Sequence, residues 1–217
     1  MKRTAMLILA ILLAMQNFAQ VDIKNNEIQT LFSTFKSCGF YGAYSIGYSQ
    51  MEGKDALVTG GRMGLIFNHF TAVGVAGYGF FNNLDGYHPF VEDPVWYSLA
   101  GGYGGIFIEP IINGLKPVHL SFPILFGAGG TGLVRNYGPG QWQDPFDIHF
   151  PENAFFFVAE PAVELEFNLT NFFRTAVTLS YRFTSDVELT GKSKDVLQGL
   201  FLGLTFKLGK FQICPLD

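Results

Sequence analysis

From Gly39 to Phe211, large apolar side chains recur at every second position, the period of a strand with two unlike faces. Eight such segments can be marked. Residues 39–49 set Phe40, Tyr44, Ile46 and Tyr48 against Gly, Ala and Ser, and residues 57–68 set Leu57, Met63, Leu65 and Phe67 against Gly60, Arg62 and Gly64. Residues 71–81 are too evenly small for their faces to be assigned. In 95–109 the spacing puts Val95, Tyr97, Leu99, Tyr103 and Phe107 on the apolar face; in 118–128 it puts Val118, Leu120, Phe122, Ile124 and Phe126 there, opposed to His119, Ser121 and Gly127. Segment 155–169 alternates Phe155, Phe157, Val163, Leu165, Phe167 and Leu169 with Glu160, Glu164 and Glu166, leaving Phe156 and Val158 as exceptions. In 172–183, Phe173, Val177, Leu179, Tyr181 and Phe183 oppose Arg174, Thr178, Ser180 and Arg182; in 197–208, Leu200, Leu202, Leu204, Phe206 and Leu208 oppose Gly199, Gly203, Thr205 and Lys207.

The connections alternate in length. Short links at 68–70, 110–117 and 169–171 trade places with longer ones at 50–56, 82–94, 129–153 and 184–196, the pattern of an outer-membrane barrel. A strand of about ten residues, rising ~3.3 Å per residue and tilted roughly 40–45°, climbs roughly 25 Å, the height of the apolar band on such barrels. Aromatics gather near strand ends on the apolar face, in the pairs Phe40 and Tyr48, Tyr97 and Phe107, Phe155 and Phe167, and Phe173 and Phe183. Amphipathic rings favour the headgroup region at those depths. The expected fold is all-β, an eight-stranded antiparallel up-and-down transmembrane β-barrel spanning 39–211.

Which face looks outward follows from the other face. It is mostly Gly, Ala and Ser with a few charges, a poor surface for water but a good filling for a narrow lumen. Its charges, Arg62, Glu160, Glu164, Glu166, Arg174, Arg182 and Lys207, therefore point inward and must neutralise one another. With a three-residue loop at 169–171 and Asn171 in the left-handed conformation, Glu166 falls opposite Arg174 and Glu160 opposite Ser180, with Arg182 diagonal. The cluster reads as a charge-paired plug that does not conduct, with a proton or ion path as the competing reading. Pro123 and Pro161 lie within strands and cannot donate to the ladder, so a shared bulge is expected to absorb both.

Composition agrees with a chain that water does not fully cover: charged residues are 15%, while Gly numbers 26 and Phe 24. Residues 1–19 carry Lys2 and Arg3, an apolar run too short to span, and Ala19 at a cleavable position, the form of a signal peptide that is removed. The formal net charge of −4 becomes more negative once Lys2 and Arg3 are cut away, and no basic tract invites nucleic acid. Residues 20–38 form a periplasmic lead-in in which Glu27 to Lys36 spaces Ile28, Leu31, Phe32 and Phe35 like a short amphipathic helix. Residues 212–217 are a C-terminal tail. Closure of an even barrel brings Cys38 and Cys214 to the same end, so a disulfide across the seam is expected in an oxidising periplasm.

No chemistry is demanded by the motifs. GAGGTG at 127–132 fits a dinucleotide pattern, yet no helix can follow it in LVRNYGPGQWQDP. Asn168-Leu169-Thr170 fits a glycosylation acceptor but lies in a tight turn. His69, His88, His119 and His149 have no zinc-ligand spacing, and no cofactor or metal is expected. The longest loop, 129–153, carries Tyr137, Trp142, Phe146, His149 and Phe150, a set suited to contact with an envelope protein or glycan and equally to a cap over the barrel mouth.

The segments GGYGGIFIEP, VHLSFPILFGAGG, EPAVELEFNLTNFFRTAVTLSYRF and LGLTFKLGKF together resemble the small outer-membrane β-barrel proteins common in Bacteroidota, a variant of the OmpA and OmpX type. The resemblance covers nearly all of 39–211 and implies the outer membrane of a Gram-negative bacterium, lipid as the surrounding partner, no catalytic residues, and no appended peptidoglycan-binding domain. The expected function is non-enzymatic, either structural or exercised through the external loops as an adhesin or accessory subunit of an envelope complex. A small lipid-modifying enzyme using His88, His119 and His149 near the loop-side rim, and a soluble lipocalin-like binder, are the alternatives.

Overall fold

The computed structural model describes residues 38–51, 53–82, 96–136 and 153–211, without the side chains of 96–97 and 133–136. Nine strands run in chain order: β1 Cys38–Met51, β2 Lys54–Phe67, β3 Thr71–Phe81, β4 Trp96–Ile112, β5 Val118–Ser121, β6 Ile124–Asn136, β7 Asn153–Asn168, β8 Phe173–Thr184 and β9 Gly199–Lys210. All pairings are antiparallel between neighbours, and β9 pairs with β1 to close the sheet on itself. Strands β5 and β6 are two halves of one stave lying between β4 and β7, so the barrel has eight staves.

Phe122 and Pro123 cause the break. The register of β5 and β6 against β4 is continuous across it, as it is against β7 (Ser121 opposite Glu164, Ile124 opposite Pro161). No residue is inserted, which corrects the expected shared bulge. Pro123 costs the ladder its own donor and nothing more, since Phe122 N–H still reaches Pro110 O at 2.9 Å and Ala162 N–H reaches Pro123 O at 2.8 Å. Pro161 is absorbed the same way, the β7–β8 ladder skipping Glu160 and Pro161 without a change of register.

The outside is apolar. Met63 is 65% exposed and Phe157 64%, in line with Phe40, Tyr44, Leu65, Val118, Phe155, Leu165, Leu179, Leu202 and Leu208 along their strands. A water-soluble domain would bury such a belt; a closed sheet with every interior ladder group paired is the form in which strands cross a bilayer. Strand β3 faces Val73 and Val75 outward and buries Phe80.

Strand β4 reverses the expected assignment. Leu99, Tyr103 and Phe107 are buried in the lumen, while Ile106 at 65% and Ile108 face lipid. Opposed residues of paired strands share a face, and Val75 lies across from Ile106 and Val73 across from Ile108. The glycines of GGYGG made the alternation ambiguous; Glu109, in phase with Phe107, was the residue that could not face lipid.

Inward rings pack where the wall carries glycine. A Cβ at Gly129 would lie 2.6 Å from Tyr103 Cβ and 2.7 Å from Phe156 Cζ, and one at Gly203 would lie 2.4 Å from the Phe201 ring. The rings lie flat against the wall where neighbouring strands carry no side chain.

Several connections differ from expectation: β6 runs to Asn136, eight residues into the loop expected at 129–153, and β4 runs to Ile112, into the link expected at 110–117. Met51 already pairs with Lys54 through a two-residue turn with Gly53 at φ 70°, so the link at 50–56 is short. Between β7 and β8 the loop is Leu169–Phe172: Asn168 pairs with Arg174, and Leu169 and Thr170 N–H both donate to Phe173 O. Asn171 is not left-handed; Asn68, His69 and Asn113 are the non-glycine residues with positive φ among those described. The pairing is two residues away from the expected one, which leaves every face as it was.

Candidate functional site

The lumen is the candidate site, because it holds all the buried charge among the described residues. Four carboxylates, Glu109, Glu160, Glu164 and Glu166, meet four cations, Arg62, Arg174, Arg182 and Lys207, with His119 beside them. The two sets cancel. That balance is what burial demands, since an unpaired charge in this interior costs several kcal/mol, on the order of 3–5.

Lys207, carried inward by β9, is the hub of the larger group. Its Nζ lies 2.6 Å from Glu109 Oε1, 2.8 Å from Glu164 Oε2 and 2.5 Å from Glu166 Oε1. Arg62 from β2 completes Glu164, NH2 to Oε2 at 2.5 Å, and lies 3.9 Å from Glu109. Tyr41 donates to Glu109, Ser121 to Glu164 Oε2 at 3.2 Å and Thr178 to Glu164 Oε1 at 3.0 Å. His119 Nε2 stands 3.1 Å from Glu166 Oε2, with Arg174 NH1 at 3.6 Å. The carboxylates of Glu109, Glu164 and Glu166 are grouped closely enough to ligate a metal ion; the Lys207 ammonium occupies their centre and supplies the positive charge instead.

The second group sits further along the axis. Tyr103 donates to Glu160 Oε2 at 2.6 Å and Ser180 to Oε1 at 2.5 Å, while Arg182 reaches the Tyr103 hydroxyl at 3.3 Å and Leu197 O at 2.8 Å. Arg182 lies over the faces of Phe80 and Tyr103, 5.7 and 5.3 Å from the ring centres, the stacked arrangement guanidinium favours. Between the groups lies a cavity of about 30 Å³ lined by Arg62, Tyr78, Glu160, Thr178 and Ser180, room for a water or two.

Both ends are closed differently. On the long-loop side the β8–β9 connection turns inward, burying Val187, Leu189, Val196 and Leu197 against Met51, Ala56 and Val58. On the short-turn side Phe211 stacks with Tyr41 and lies 3.8 Å below the Arg174 guanidinium.

All seven charges expected in the lumen are there, although their partners differ. Arg174 lies across from Lys207 and Asn168, not Glu166, and meets Glu166 diagonally; Ser180 lies across from Ala162, not Glu160, and bonds Glu160 diagonally. Glu109, His119, Tyr41 and Tyr103 complete the network and were not expected in it, Glu109 and Tyr103 because the β4 faces were assigned in reverse. His119 lies in the lumen toward the short-turn end, away from the loop-side rim where the enzymatic alternative needs it. Cys38 opens β1, whereas Cys214 lies outside the described residues, as do the signal peptide, the helix expected at 27–36, the tail, His88, and the loop residues Tyr137, Trp142, Phe146, His149 and Phe150.

No family model matches the chain, and no curated protein does. Among solved structures, Neisserial surface protein A is 9% identical with a TM-score of 0.50, over 79% of this chain and 96% of that one. Ail, the attachment invasion locus protein of Yersinia pestis, is 16% identical with a TM-score of 0.43, over 81% of this chain and 100% of that one. Ail is also known in complex with the heparin analogue sucrose octasulfate, a structure with 13% identity and a TM-score of 0.40. With its closed sheet, apolar outer belt and neutralised lumen, the chain has the fold of the small eight-stranded outer-membrane barrels.

Proposed function

We propose that this is a non-enzymatic outer-membrane barrel with a solid lumen, acting through what it displays outside the bilayer as an adhesin or as an accessory subunit of an envelope complex. The carrying observation is the cancellation of four buried carboxylates by four buried cations around a cavity of about 30 Å³. Such an interior supports the sheet and transports nothing. The contact residues in this reading are Tyr137, Trp142, Phe146, His149 and Phe150, with a partner protein or surface glycan as the ligand; the residue patterns shared with Bacteroidota barrels make that phylum the expected source.

Two measurements test it. Purified protein in planar bilayers is expected to give no steady ion conductance; stable unitary currents would refute the solid lumen. Replacing residues 137–152 by a short Gly-Ser linker is expected to abolish capture of the native envelope partner or glycan while leaving membrane insertion intact. Capture that persists unchanged would remove those five residues from the contact.

A further inference from the structure

At the short-turn mouth of the barrel Arg174, a member of the lumen network, meets further polar groups. The turn between β4 and β5 and the loop between β7 and β8 enclose a cavity of about 160 Å³ lined by Gly114, Leu115, Asn168, Thr170, Asn171 and Arg174, with Phe211 on its wall. Its groups are arranged in two kinds. Arg174 forms the inner end, held by Gly114 O at 3.3 Å and by Phe211 beneath it; His119 Nε2 lies 3.4 Å from its NH1, and its carboxylate neighbour, Glu166, is at 3.6 Å. Thr170 Oγ1 accepts the N–H groups of Phe172 at 3.3 Å and Phe173 at 3.0 Å, which leaves its hydroxyl proton to give away. These are donors. Asn168 is the reverse: its Nδ2 donates to Lys116 O at 2.6 Å and Gly114 O at 3.3 Å, while its Oδ1 is buried without a partner. A buried acceptor left unmatched costs about 1–3 kcal/mol, so a donor is expected to meet it.

We infer that this mouth binds a phosphoethanolamine group, its phosphate on Arg174 and the Thr170 hydroxyl and its ammonium on Asn168 Oδ1. A plain anion would leave Asn168 unmatched and a plain cation would face Arg174; a zwitterion with a phosphate and an N–H-bearing ammonium satisfies both. Short turns of such barrels face the periplasm, which sets this mouth toward that leaflet's headgroups. Leu115 at 68% exposure lines it, and Phe172 at 61% and Leu169 stand on the adjoining loop, so the apolar belt runs up to the mouth and offers a path for a glycerol backbone and acyl chains. The two sources of the group are a phospholipid of that leaflet and the free phosphomonoester.

The full-length protein, refolded with equal amounts of phosphatidylethanolamine, phosphatidylcholine and phosphatidylglycerol, is read by native mass spectrometry. Phosphatidylcholine keeps the phosphate and positive charge but has no N–H; phosphatidylglycerol has no ammonium. Retention of phosphatidylethanolamine about tenfold above both is expected, the order set by one charge-assisted hydrogen bond. Asn168→Leu is expected to level the three lipids, and Thr170→Val to lower all three, with Arg174 and its network untouched and folding verified by the gel shift of unboiled samples. Equal retention by the wild type, or a preference that survives Asn168→Leu, overturns the inference. Displacement of the lipid by millimolar phosphoethanolamine assigns the site to the soluble group; lipid that stays bound assigns it to the bilayer.

Discussion

Replacing Lys207 by Met removes the hub of the lumen network while keeping nearly its volume. The ammonium touches three carboxylates at 2.5 to 2.8 Å and is buried. Without it, Glu109, Glu164 and Glu166 face Arg62 and Arg174, three charges against two, with Arg62 already 2.5 Å from Glu164 and 3.9 Å from Glu109. Breaking a buried pair by deleting one partner costs roughly 3–5 kcal/mol, and total stabilities are about 5–15 kcal/mol. Lys207→Met is therefore expected to lose about 3–5 kcal/mol, roughly a fifth or more of the unfolding free energy. The assay is urea unfolding of protein refolded into lipid vesicles, followed by tryptophan fluorescence and by the gel shift of unboiled samples. Adding Glu109→Gln restores two carboxylates against two cations and keeps an acceptor for Tyr41, so the double variant is expected to recover at least half of the loss. A single variant within about 0.5 kcal/mol of wild type, the range of inert substitutions, would refute the neutralised lumen. So would a double variant no better than the single one.

Three further outcomes follow from the geometry. The faces of β4 are separable by fluorescence: a tryptophan placed at Ile106 is expected to be quenched by brominated acyl chains, and one at Phe107 to be spared, because the first faces lipid and the second the lumen. Gly129→Val is expected to destabilise the barrel by about 1–3 kcal/mol, as overpacking does, since its Cβ would fall 2.4 Å from Gly102 O, 2.6 Å from Tyr103 and 2.7 Å from the Phe156 ring; urea unfolding checks it, and an unchanged midpoint would deny this close packing of the wall. Leu197→Ser, which puts a hydroxyl in the buried apolar seal over the long-loop end, is expected to make the connection between β8 and β9 cleavable by added protease while the strands remain protected.

Period-two alternation made most of the barrel legible. In β1, β2, β7, β8 and β9 the outer side chains are mostly bulky and apolar and the inner ones mostly small or charged, with Tyr41, Phe156 and Phe201 among the exceptions, so orientation follows from the pattern, and with it the inward placement of Arg62, Glu160, Glu164, Glu166, Arg174, Arg182 and Lys207. Strand β4 resisted because Gly101, Gly102, Gly104 and Gly105 give neither face a mark, and bulk alone drew Tyr103 and Phe107 to the wrong side. Glu109, in phase with Tyr103 and Phe107, is the signal that corrects it. Alternation puts His119 on the inner face of its strand, but no linear spacing ties it to Glu166.

What the sequence by itself determined is therefore the kind of wall: how many staves, which residues can bear lipid, and that the interior is charged. What only the tertiary structure decided is who meets whom across it. A shift of two residues between β7 and β8 preserves every face, so no pattern along the chain distinguishes Glu166 opposite Arg174 from Glu166 opposite Ala176. Lys207 reaches Glu109 across the lumen, between strands that share no hydrogen bond, and that contact exists because closing the sheet brings opposite walls within a side chain's length.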